Sequence, residues 1–124
     1  MSGLAQEAFK LQNSYRIRHG VRALKWHRGC RLTAKAACYV IIRKGRLEHD
    51  KLWFRGLQKL TRTGRVEENI GWGQDNASEI VNGFERSPEH ERNMRDPSVN
   101  HGAYATAYSR KLGKRVWVAH YAEL

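Results

Sequence analysis

The segment Glu85-Arg-Ser-Pro-Glu-His-Glu-Arg-Asn-Met94 sets Ser87 and His90 three residues apart among three glutamates. Two kinds of chemistry fit those residues. A hydroxyl near an imidazole could serve as a nucleophile with its base, and a neutral imidazole could take a metal ion. A plainer reading makes the same segment a helix start. Ser87 can cap it, Pro88 suits the first helical position because its missing N–H costs nothing there, and Glu89 and Glu91 complement the helix dipole. The cap explains Ser87 more cheaply than a Ser–His dyad does. His90 then stands where a capping box favours Glu or Gln, and this window alone leaves its role open.

The elements that must position these residues can be read from periodicity. Leu4, Ala8, Leu11 and Tyr15 step by 4, 3 and 4, which predicts a helix ending near His19-Gly20. Leu24 and Trp26 fall in a short connector. Leu32, Ala36 and Val40 predict a second helix closing at Lys44-Gly45. Residues 46–65 show no clean period and read as a long loop with a helical turn around Leu57–Leu60. Val66–Trp72 reads as a strand, and Ala77, Val81 and Phe84 as a third helical stripe capped by Asp75 or Asn76. Ala103–Tyr108 and Val116–Tyr121 both alternate around Leu112-Gly113, the signature of a β-hairpin. This order predicts an α+β fold, an α-β-α sandwich with a small antiparallel sheet of about three strands, in one domain over 1–124.

Cysteine use limits the chemistry further. Cys30 and Cys38 lie eight residues apart in the second helix, about 12 Å of rise and beyond disulfide reach. Without a Cys-x-x-Cys pair they form no zinc knuckle, and both are expected as free thiols. Trp53, Trp72, Trp117, Tyr104 and Tyr121 could offer a stacking platform, but alternation on the hairpin assigns most of them to packing. Asn69 reads as a local backbone hydrogen-bonder.

Net charge is +11, unevenly spread. Residues 1–65 hold 16 Lys/Arg against 3 Asp/Glu, whereas residues 66–124 hold 7 against 9. The asymmetry predicts a basic face, with Arg16, Arg18, Arg22, Lys25, Arg28 and Arg31 meeting an anionic glycan, lipid headgroups or nucleic acid. No apolar run approaches the ~20 residues of a bilayer span, so no transmembrane segment is expected. The start has neither a basic n-region nor an apolar h-region, which predicts no secretory signal there.

Five stretches carry a resemblance: "HGVRALKW", "LEHD", "EENIGWG", "FERSPEHERNM" and the terminal "NHGAYATAYSRKLGKRVWVAHYA". In this order they resemble the CAP superfamily, which holds cysteine-rich secretory proteins, antigen 5, pathogenesis-related proteins and bacterial SCP-like domains. The likeness runs from about Leu11 to Ala122. It is greatest to the bacterial branch, which carries Ser-Pro-x-His-x-x-Asn and lacks the disulfides of animal and plant members. The resemblance implies an α-β-α sandwich with a cleft lined by two histidines and acidic residues. The first histidine falls on His49, the strand glutamate on Glu68 and the second histidine on His90. The second acidic position falls on Ser87, and Glu85 is no substitute because it lies about 200° around a helix from that point. Glu67 and Glu89 stand where glycine is common, which implies extra negative charge near the cleft.

Two imidazoles near one carboxylate can hold Zn²⁺ or another divalent metal, so the implied ligands are His49 and His90, with Glu68 as a third candidate. The expected function is a non-catalytic ligand- or partner-binding module. Two alternatives stand beside it: a structural component of a secreted or viral (phage) assembly, binding a protein partner, and a metal-dependent hydrolase using the same cleft. The family is mostly extracellular or particle-associated.

Overall fold

A computed structural model describes residues 3–124; Met1 and Ser2, the first residues of the start read above for a signal, lie outside them. The elements run α1 (Leu4–Arg18), β1 (Lys25–Trp26), α2 (Arg28–Lys44), α3 (Lys51–Gln58), β2 (Val66–Trp72), α4 (Ala77–Glu85), α5 (Pro88–Met94), β3 (His101–Ser109) and β4 (Lys114–Ala122). The strands form one sheet in the order β1-β3-β4-β2. β3, β4 and β2 are antiparallel, as the hairpin alternation predicts, with Glu68 opposite His120 and Ala103 opposite the same histidine. Gly113 makes the hairpin turn at φ +67, a conformation that costs glycine little. The short β1 is a fourth strand, parallel to β3. Its two residues are drawn into the sheet by β3 and carry no strand signal of their own.

Alternation sorts the sheet into two faces. Tyr104, Trp117, Ala119 and Tyr121 pack with Phe9 and Tyr15 of α1 and Ile80 and Phe84 of α4. Ala105, Ala107, Val116, Val118 and Ile70 pack with Ala34, Ala37, Cys38 and Ile41 of α2. The result is a sandwich: α1 and α4 on one face, with α5 packed on α4, and α2 and α3 on the other. Among the described residues no helix is long and apolar enough to cross a membrane.

Three sequence readings change. Residues 46–65 contain a helix, α3, which Asp50 caps by accepting from the Leu52 N–H at 2.9 Å. In α2 the buried residues are Cys30, Ala34, Ala37, Cys38 and Ile41, whereas Leu32 turns outward. Small side chains let the helix lie close to the alanine-rich stripe of β3, so the largest residue is not the inward one. In α1, Leu11 faces out, and Gln12 and Arg16 are buried beside Ala8 and Tyr15. Gln12 accepts from the hydroxyls of Tyr104 and Tyr121, which explains how a polar residue enters the core.

Both cysteines are buried and free. Burial pushes each thiol up to about 12, so neither has thiolate character near neutrality. Trp117, Tyr104 and Tyr121 are fully buried and unavailable for stacking. Trp72 is half-buried beneath the Lys114 ammonium, 4.3 Å from its ring centre.

Candidate functional site

The edge strand β2 carries Glu68, whose carboxylate is buried on the α2–α3 face. An ionised carboxylate can only accept, so both neighbouring imidazoles donate. His49, in the loop before α3, donates from Nδ1 to Oε1 at 2.5 Å. His120, directly across on β4, donates from Nε2 to Oε2 at 2.6 Å. Its other ring nitrogen, Nδ1, is hydrogen-bonded at 2.7 Å with the Thr33 hydroxyl of α2, which also donates to the Cys30 carbonyl at 3.1 Å. One carboxylate thereby joins a fully buried imidazole to one whose side chain is 55% exposed. With Nδ1 committed to Glu68, His49 turns Nε2 away from the carboxylate with a free lone pair in the neutral ring.

The second histidine approaches from the other helical layer. α5 is tied to the β2 edge by three polar contacts. The Asn69 amide donates to the His90 carbonyl (2.9 Å), and the Asn93 amide donates to Asn69 Oδ1 (2.9 Å) and to the Glu68 carbonyl (3.3 Å). Asn69 is therefore a tertiary clamp and not a local backbone hydrogen-bonder. The half-buried His90 ring lies 4.8 Å from Phe84, centre to centre. It also feels the charge of His49.

Other site residues separate from this group. Ser87 stands at the N-cap position of α5 but makes no side-chain cap bond, and among the described residues no bond joins its hydroxyl to His90. Glu67 lies on the opposite face of β2 from Glu68 and meets Arg65 and Asp96, so it adds no charge beside Glu68. Burial first, and then the proton it shares with Asp96, push Glu67 up to about 8. Glu89 does act on both His49 and His90.

Burial opposes ionisation of Glu68, but hydrogen bonds from His120 and His49 outweigh it and hold the carboxyl below its ordinary value. The same bond raises His49, and burial lowers His90. The signs set a pH window. The His49 contribution to stability is full below the unfolded value of 6.5 and is lost as pH rises through its higher folded value. The Glu68 contribution is present above 4.5 and lost as pH falls through its lower folded value. The pair therefore stabilises the fold most between those values. Imidazole NMR should find His49 titrating above 6.5 and His90 below it, with His49 moving down in Glu68→Gln. The reverse order would break the assignment.

The basic residues do not form the single face expected from sequence. Arg16 is 1% exposed and donates to the carbonyls of Arg22, Met94, Asp96 and Val99, so it offers no charge to a partner. Arg22 and Lys25 border a concavity of about 610 Å³, away from Glu68, between the α1–β1 connector and the start of β3. Arg18 lies on α1 and Arg28 and Arg31 on α2, on opposite faces of the sheet.

His120 was not among the residues singled out from sequence. It shares the inward stripe of β4 with Val116, Val118 and Ala122. A histidine in an apolar stripe signals a buried partner.

The profile described as the cysteine-rich secretory protein family, CAP, matches residues 9–121. No curated protein sequence matches the chain. Among solved structures, an outer surface protein of Borrelia burgdorferi superposes with a TM-score of 0.81 at 12% identity, covering 93% of this chain and 88% of that one. An extracellular SCP-domain protein of Bacillus anthracis gives 0.83 at 18%, covering 98% of this chain and 41% of its own. A cysteine-rich secretory protein of Staphylococcus aureus gives 0.78 at 13%, covering 98% and 39%. The chain thus spans about two fifths of the last two proteins. At these identities the likenesses establish the fold alone.

Proposed function

Because this chain belongs to the cysteine-rich secretory protein (CAP) family, we propose that the region around β2 is its working cleft and that the protein is a non-catalytic ligand- or partner-binding module. One observation carries the reading: Glu68 bonds Nδ1 of His49 at 2.5 Å on a side chain that is 55% exposed, leaving Nε2 outside that bond. A carboxylate behind an imidazole is the arrangement that fixes the tautomer of a metal-ligating histidine and raises its basicity.

The donor set fits a divalent metal held by two imidazoles. His49 Nε2 and His90 would supply the ligands, and Glu68 would orient His49, since both its oxygens are taken by imidazoles. Among the described residues no group of three or more His, Cys, Asp or Glu is arranged as a complete ligand set. A bound Zn²⁺ would keep positions open for water or for an anionic group of a ligand. Zinc at a hundredfold excess over its Kd should raise the unfolding midpoint on the order of 10 °C. Protection should vanish below about pH 6 as the imidazoles protonate. In His49→Ala it should be absent at every pH; an unchanged shift there would place the ligands elsewhere.

The second reading, a metal-assisted hydrolase, is favoured by the same His49–Glu68 pair, which resembles an oriented general base. Ser87 gives it no nucleophile, because its hydroxyl makes no bond to His90. The third reading is a component of a secreted or viral assembly with a protein partner. Part of the basic surface is available to an anionic partner in each case.

A further inference from the structure

We propose that the outward side of the α2–α3 layer is a docking surface for an anionic phospholipid bilayer. The proposal narrows the anionic-partner reading given above and rests on it. It begins with an inversion in α2. The side facing the sheet holds Cys30, Ala34, Ala37, Cys38 and Ile41, whereas Leu32 and Tyr39 point away from it. Leu32 is 50% and Tyr39 56% exposed. In α3, Leu52 is 70% exposed, and Leu60, just beyond its end, is 60% exposed. Leu60 joins the two helices: its Cδ1 lies 3.5 Å from where a Cβ on Gly29, in the first turn of α2, would stand. Single exposed leucines are ordinary, but four large apolar side chains across one layer are a surface feature.

Charge on the two helices has one sign. α2 and α3 contain no acidic residue. Between Arg28 and Arg62 the acids are Glu48 and Asp50, and Lys44 reaches them at 3.4 and 4.0 Å. Arg28, Leu32, Tyr39 and Arg43 fall within about 60° of one another around the helix axis, so two apolar side chains lie between two cations down one line. The other layer differs: α4 carries Glu79 and Glu85, and α5 carries Glu89 and Glu91. With Lys10 and Arg18 of α1 beside these acids the other layer is mixed in charge, so an anionic plane would attract the α2–α3 side more strongly.

The leucines select the partner. A polyanion such as duplex DNA or a sulfated glycan satisfies Arg28, Arg43 and Arg55 but gives Leu32, Leu52 and Leu60 nothing to enter. Anionic headgroups above acyl chains satisfy both kinds of residue.

The test is co-sedimentation of the full chain with vesicles of phosphatidylcholine alone or with about 30% phosphatidylserine, at about 50 and 200 mM salt. Duplex DNA and heparin are run alongside. Three variants are compared after thermal unfolding confirms each is folded: Leu32→Ser/Leu52→Ser/Leu60→Ser, Arg28→Gln/Arg55→Gln, and Lys10→Gln/Arg18→Gln on the opposite layer. The parent should bind only phosphatidylserine vesicles, and less at the higher salt. Binding should fall roughly tenfold or more in the leucine and Arg28/Arg55 variants, and less than about twofold in the Lys10/Arg18 variant. Vesicle binding unchanged in the leucine variant would overturn the proposal, because charge alone would then suffice. So would binding to DNA or heparin in preference to vesicles, which would leave the broader anionic-partner reading intact. Binding to none of these anions would remove both.

Discussion

Arg16→Met is expected to cost about 3–5 kcal/mol of folding stability, the range for removing one partner from a buried charged network. For a chain of this size that is on the order of 10–20 °C in Tm. The Arg16 guanidinium donates to four backbone carbonyls, at 2.7 Å to Arg22, 2.8 Å to Met94, 3.0 Å to Asp96 and 3.3 Å to Val99. Methionine fills much of the volume but supplies no donor, so those carbonyls lose their partner in a region with little access to water. The same contacts anchor the chain between α5 and β3, so His90 should lose its distinct environment as the segment loosens. Arg18→Met, two residues along and exposed, is the matched control and should change stability by no more than about 0.5 kcal/mol. Equal effects from the two substitutions would mean that the Arg16 bonds contribute nothing specific.

Glu68→Ala should damage stability and site together. It leaves the buried His120 N–H without an acceptor, a loss of about 1–3 kcal/mol, and frees His49 to rotate. Metal affinity should fall about 10- to 100-fold, the usual effect of losing the group behind a ligating histidine. Glu68→Gln separates the two effects. Its amide oxygen can still accept from one imidazole, and its NH₂ can donate to the other after a tautomer change, so most of the stability should return. The negative charge does not return, so the raised His49 value and the metal affinity should remain lost. Calorimetric zinc titration of both variants beside their thermal unfolding curves reads the two effects independently. Full zinc affinity in a folded Glu68→Gln would show that Glu68 does not orient His49. Hydrolysis of casein, peptidoglycan or simple esters that disappears in the same folded variant would favour the hydrolase reading.

Much of the fold was legible because its sheet follows simple alternation. β2 occupies Val66–Trp72 as read, and the two alternating runs at the end of the chain pair as β3 and β4. α3 was read only in part, as a turn around Leu57–Leu60: at eight residues it is too short to repeat a stripe, and Gly56 weakens the helical signal. The misread face of α2 has a packing cause. Alanines on β3 leave room for a close approach, so Ala34 and Ala37 outcompete Leu32 for the interior. Of the site, the Glu68–His49 contact spans 19 residues, and no periodicity shows such a contact; the family likeness pointed to it. His120 was visible as a polar residue in an apolar stripe, but its partners Glu68 and Thr33 come from two distant elements. Arg16 entered the basic-face reading because sequence records charge and not burial.

In the proposed cleft Glu68 commits His120 to structure and leaves His49 Nε2, with His90, to a ligand. Long-range imidazole ¹H–¹⁵N spectra recorded through a zinc titration test it most directly, because they report each ring nitrogen separately. Large shifts are expected at His49 Nε2 and at one nitrogen of His90. The His49 Nδ1 and both His120 nitrogens should keep their hydrogen-bonded signatures. Shifts centred on His120, or on His19, His27 and His101 with His49 and His90 silent, would contradict it.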